Sequence, residues 1–165
     1  MSELAKKICL IGDFGVGKTS LVRRCVSNIF SDDYITTVGV KIETKIINLD
    51  HENSLKLIIW DIAGTDNLDN LKMSYLQGAS GYILVADGTR RNTLTSALAL
   101  KQEVDLRLNT PPYQLLLNKA DLLADWELEE DDYLMLKEKG IHFRKSSALT
   151  GFAVEEAFEK LARAL

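Results

Sequence analysis

Gly12-Asp13-Phe14-Gly15-Val16-Gly17-Lys18-Thr19 meets the phosphate-loop pattern G-x-x-x-x-G-K-[ST] at every fixed position. These residue types capture anions. Glycines let the chain turn tightly, so that backbone N–H groups gather into a nest. A helix that follows adds unpaired N–H groups and the positive end of its dipole. Lys18 is suited to the β- and γ-phosphates of a nucleotide, and the Thr19 hydroxyl to Mg²⁺.

Three further groups carry chemistry. Asp61-Ile62-Ala63-Gly64 follows the apolar run Leu57-Ile58-Ile59-Trp60. A carboxylate at a strand end facing a phosphate loop can hold Mg²⁺ through water, and the Gly64 N–H can meet a γ-phosphate. Asn118-Lys119-Ala120-Asp121 follows Leu115-Leu116-Leu117. Asp121 offers a double acceptor to the two N–H donors on one edge of guanine, a donor pair that adenine lacks. Asn118 can tie this segment to the phosphate loop, and the Lys119 stem can cover the base. Ser146-Ser147-Ala148-Leu149 is a weaker pattern that can offer an N–H to the guanine carbonyl.

The positioning elements are legible around these groups. Ile8 to Ile11 reads as a buried strand and Ser20 to Val26 as the helix after the loop. Asn28 to Thr37 reads as a loop. Val40, Ile42, Thr44 and Ile46 alternate with Lys41, Glu43 and Lys45, which predicts an edge strand with the first set buried. Asp50 to Asn53 is a turn, and Leu55 to Asp61 returns as the partner strand. Gly81 to Asp87, Tyr113 to Asn118 and Ile141 to Arg144 are predicted strands. Thr93 to Leu108 and Glu127 to Lys139 are predicted helices, the second with an acidic start matched to the helix dipole. The last helix carries Val154, Ala157, Phe158, Leu161 and Leu165 as a core stripe. Alternating strands and helices predict an α/β fold with a mostly parallel sheet covered on both faces. Ligands in such folds sit at the carboxyl ends of strands, where all these motifs fall.

The chain has 165 residues, enough for one domain with a full core. Lys and Arg number 20 against 24 Asp and Glu, and a net charge of −4 argues against non-specific nucleic-acid binding. Cys9 and Cys25 read as buried free thiols. No 18-residue apolar run is present, and the first seven residues are too polar for a secretory signal, so a cytoplasmic protein is expected.

The phosphate loop, Thr37-Val38-Gly39-Val40, Trp60-Asp61-Ile62-Ala63-Gly64, Asn118-Lys119-Ala120-Asp121 and Ser147-Ala148-Leu149 occur in the order and spacing of a Ras-superfamily small GTPase, and the chain resembles the Rab branch. The resemblance spans residues 1–165. It implies a P-loop NTPase G domain whose six-stranded, mostly parallel sheet has one antiparallel edge strand. GTP or GDP would be the ligand, and Mg²⁺ the cofactor held by Thr19, Thr37 and, through water, Asp61. Ser20, Phe30, Tyr34, Thr37, Ser147, Ala148 and Leu149 would join the phosphate loop, Gly64, Asn118, Lys119 and Asp121 around the nucleotide. Lys18, Thr37, Gly64 and Thr65 would serve hydrolysis. Effectors, an exchange factor and an activating protein would read switch segments 31–46 and 63–77, held or released by the γ-phosphate. A monomer is expected.

Departures from the pattern matter. The family usually has Gln after D-x-x-G to orient the attacking water; here Thr65 stands in that place. Threonine is shorter and lacks the paired donor and acceptor of an amide. Phe14 occupies a position where small residues are common. Its ring either crowds the γ-phosphate and an incoming arginine finger, or packs over the loop against a switch. Slow hydrolysis is therefore expected. Leu149 stands where Lys is frequent. Arg90 and Arg91 read as the start of a helix on a solvated face. His51 and His142 read as structural. Rab proteins usually end in a flexible, prenylated extension, whereas this sequence ends at Leu165. Membrane association is expected only through partners or a removed tail. A GTP-binding scaffold that does not hydrolyse is the alternative. A phosphate-loop kinase is disfavoured, because no arginine-rich lid or acceptor site is evident.

Overall fold

A computed structural model describes residues 3–28, 30, 39–64 and 73–165. Six strands form one sheet in the order β2-β3-β1-β4-β5-β6. They are β1 (Glu3–Gly12), β2 (Val40–Asn48), β3 (Ser54–Ile62), β4 (Gly81–Asp87), β5 (Tyr113–Asn118) and β6 (Phe143–Lys145). Among the described residues, only the β2–β3 pair is antiparallel. The helices are α1 (Lys18–Ser27), α2 (Met73–Leu76), α3 (Arg91–Leu108), α4 (Glu130–Glu138) and α5 (Val154–Ala164).

Period-two alternation divides the central strands between two cores. Ile8, Leu10, Ile83, Val85 and Leu116 face α1 and α5, with Leu21, Val22, Phe158 and Leu161. Cys9, Ile11, Tyr82, Leu84, Leu115 and Leu117 face the other way, onto Leu94, Ala97, Leu100 and Val104 of α3 and Leu136 of α4. Every residue of β4 is buried, as a strand covered on both faces requires. Both cysteines are free and buried, Cys9 in the sheet and Cys25 on the inner face of α1. The α5 stripe is core as read, with Leu165 at its margin. No helix among the described residues is long and apolar enough to cross a membrane.

The structure corrects three readings. In β2 Val40 packs on the core and Lys41 is exposed as read, but from Ile42 on the predicted faces are exchanged: Ile42 and Ile46 are 49% and 56% exposed, Thr44 is exposed, and Ile47 enters the core. Lys45 turns inward, where its Nζ donates to the Cys25 carbonyl at 2.9 Å and pairs with Glu155. An aliphatic stem can line a core margin while its ammonium finds oxygen, so a lysine need not mark the wet face. Second, α4 begins at Glu130, three residues later than read. Glu129 and Asp132 form a reciprocal capping box, and Glu127 lies before the helix, accepting from the Arg91 N–H at 2.9 Å. Third, His142 precedes β6 rather than lying on it.

Candidate functional site

The site is assembled at the carboxyl ends of β1, β3, β4 and β5 and the loop after β6. The phosphate loop connects β1 to α1. Gly17 caps that helix at φ 103°, and a Cβ there would overlap the Asn118 amide, so the loop can pass this close only as glycine. Lys18 is buried, and its Nζ donates to the Gly12 and Asp13 carbonyls at 3.2 and 3.0 Å. Burial lowers its pKa to about 8, against the opposing pull of Asp61 and Asp13. The Thr19 hydroxyl donates to Asp61 Oδ2 at 2.6 Å. Asp61, near the end of β3, is 1% exposed. A Cβ on Gly64 would press on the Phe14 and Asp13 backbone, so this glycine lies directly against the loop. Phe14 leaves 49% of its surface exposed, and its N–H donates to Asp13 Oδ1.

The segment after β5 grips the loop from behind. Asn118 Nδ2 donates to the Val16 carbonyl at 3.0 Å, and Ser146 Oγ donates to Asn118 Oδ1 at 3.1 Å. Lys119 Nζ donates to the Gly15 carbonyl at 2.9 Å. Asp121 Oδ1 accepts from Ser147 Oγ at 2.6 Å, so the carboxylate is aimed by the neighbouring strand end. The Ser147 carbonyl accepts from the Gly151 N–H at 2.8 Å. Because a trans peptide points its C=O and N–H in opposite directions, this turns the Ala148 N–H the other way. Arg24 of α1 holds the Ala148 and Leu149 carbonyls at 2.9 and 2.6 Å. Phe30 packs against the margin of the α1–α5 core. Tyr34, Thr37 and Thr65 lie outside the described residues.

The sequence reading missed Asp87 and misjudged Arg90. Asp87 ends β4 at 1% exposure. Its Oδ1 accepts from the Thr89 N–H and hydroxyl, and its Oδ2 from Lys119 Nζ at 2.8 Å and Arg90 Nε at 3.1 Å. Burial alone would raise its pKa, but the hydrogen bonds from Lys119 and Thr89 and the Lys119 charge hold it below the usual range. Arg90 also donates from Nη2 to the Phe14 carbonyl at 2.8 Å, so it lies against the phosphate loop rather than on a merely solvated face. The available signal was positional: Asp87 ends a strand beside two others whose ends carry motifs.

A phosphate loop at the first strand-to-helix junction of a mostly parallel sheet defines a P-loop NTPase fold. The family model described as Ras family matches residues 7–165. Over 159 residues the chain is 37% identical to Ras-related protein Rab-1D of Dictyostelium discoideum, covering 95% of this chain and 78% of that protein. It is 39% identical to Ras-related protein RABC1 of Arabidopsis thaliana, covering 94% and 74%, and 33% identical to Ras-related protein Rab-13 of Canis lupus familiaris, covering 95% and 78%. The chain belongs to the Ras family, and its likeness to Rab proteins makes it a GTP-binding regulatory switch of the small-GTPase type.

Proposed function

We propose that this switch selects guanine through Asp121, hydrolyses GTP slowly, and presents an apolar sheet edge to its partners. The Asp121 carboxylate, held by Ser147 beside a segment that grips the phosphate loop, is the observation that carries the base assignment. Two acceptor oxygens match the two donors on one edge of guanine. The Ala148 N–H, turned away from Gly151, suits the guanine carbonyl. Lys18 and the N–H groups of the phosphate loop would neutralise the polyphosphate.

The donor set around Thr19 fits a hard cation, since a hydroxyl and a carboxylate are both oxygen ligands. Thr19 and Thr37 directly, and Asp61 through water, would hold Mg²⁺, which when bound offsets charge between the β- and γ-phosphates. Thr65 supports slow turnover, because it lacks the amide that orients water. Phe14, half exposed and with its backbone against Gly64, supports it too, and favours a second reading in which the chain is a GTP-loaded scaffold without turnover. The Ile42–Ile46 face, continued by Trp60 opposite Ile42 and by Tyr75 against Trp60, supports effector contact through the described parts of 31–46 and 63–77.

Chromatography of nucleotide released from the purified protein tests the first claim, and finding no guanine nucleotide overturns it. Single-turnover hydrolysis tests the second. Thr65→Gln should raise the rate on the order of tenfold; a rate at or below wild type would count against slow turnover by this cause. Partner affinity that is equal in the GDP and GTP states, with no hydrolysis, would favour the scaffold.

A further inference from the structure

Three consecutive phosphate-loop carbonyls are held from outside the loop, each by a different side chain. Arg90 holds Phe14, Lys119 holds Gly15, and Asn118 holds Val16, at 2.8, 2.9 and 3.0 Å. A peptide is planar, so a carbonyl drawn outward sends the next residue's N–H inward. The three contacts therefore turn the N–H groups of Gly15, Val16 and Gly17 toward the inside of the loop. Asn118 and Lys119 belong to the base-binding segment, whereas Arg90 comes from the start of α3 and from no motif in the chain.

Arg90 is itself fixed. Its Nε donates to Asp87 Oδ2, the oxygen that also accepts from Lys119. The other oxygen is filled by Thr89, and the Asp87 backbone N–H donates to Thr93 Oγ1 at 2.8 Å. One buried carboxylate thus sets two of the three clamps. The Arg90 fork spans both acceptors at once, Nε on the carboxylate and Nη2 on the loop, which a lysine ammonium cannot reproduce in the same plane.

We infer that Arg90 is a positioning residue of the nucleotide site: anchored on Asp87, it holds the Phe14 carbonyl outward and aims the Gly15 N–H at the bound polyphosphate. This rests on the guanine-nucleotide reading above. Arg90 acts through the loop backbone and touches neither base nor reacting atoms, so it should govern phosphate retention without changing base choice.

The test uses full-length protein loaded with a fluorescent GDP. Arg90→Ala should release GDP about tenfold faster than wild type. Arg90→Lys, which keeps the charge and the stem, should fall between them and covers the case where the alanine variant does not fold. The phosphorus resonance of the GDP β-phosphate should shift in both variants, while the preference for GDP over XDP stays at the wild-type value. Arg107→Ala, removing a solvent-facing arginine of the same helix, is the control. Release from both Arg90 variants within twofold of wild type, or an equal change in the control, overturns the assignment. A wild-type protein that takes up no GDP would instead overturn the guanine reading itself.

Discussion

On the β4–β5 side of the phosphate loop, Asn118, Lys119 and Arg90 bind three successive carbonyls, and the buried Asp87 and Ser146 brace them. On the β2–β3 side the sheet ends in a strand that turns Ile42 and Ile46 to solvent. The first flank is polar, inward and saturated with hydrogen bonds. The second is apolar and outward, an arrangement that costs stability little to change but leaves surface for another protein. On the proposed function, ligand geometry is thus concentrated on one side of the loop and the partner surface on the other.

That division can be broken from its polar side first. Asp87→Ala would strand Lys119 and Arg90 beside a buried void. Both cations keep about a third or more of their surface in solvent, which places the loss at the lower end for a buried pair, about 3 kcal/mol by denaturant unfolding. The pH dependence has a definite sign. The Asp87 carboxyl is held below its ordinary value of 3.8, so its contribution is complete above that pH and is lost as pH falls further. The gap between wild type and Asp87→Asn should accordingly close in acid; a gap constant down to pH 2 would contradict the geometry.

Asp121→Asn tests the same flank through ligand choice. The acceptor pair becomes one acceptor and one donor, so GDP affinity should drop about 10²-fold and XDP affinity should rise, by titration calorimetry. Unchanged preference would remove Asp121 from the base site. The smallest effect belongs to the other flank. Ile42→Lys should alter unfolding free energy by no more than about 0.5 kcal/mol and leave GDP release as in wild type, because the side chain already faces water. Loss of partner capture with stability intact would sharpen the contrast, and a large destabilisation would erase it.

What could be read from sequence divides along similar lines. Apolar runs closed by short polar motifs located β1, β3, β4 and β5, because a strand covered on both faces leaves no alternative for Ile8 to Ile11 or Gly81 to Asp87. The loop and the Asn118–Asp121 segment were legible because their spacing is constrained by contact with each other. The faces of β2 were not: alternation fixes the period of a strand but not which side is covered, and Lys45 reaches backbone oxygen inside. Arg90 escaped because an arginine at a helix start looks alike whether it meets water or a carbonyl 76 residues earlier in the chain. The start of α4 shifted because a local capping box, Glu129 with Asp132, overrode the longer run of acidic residues.

The two native thiols offer a practical opening. Burial raises Cys9 and Cys25 to about 12, so almost no thiolate exists at neutral pH for a maleimide to attack. Leu123, 81% exposed two residues beyond Asp121, is a place where Leu123→Cys would present a single reactive sulfur. A dye attached there would test occupancy of the proposed base site without any need to remove the cysteines that nature put in the core.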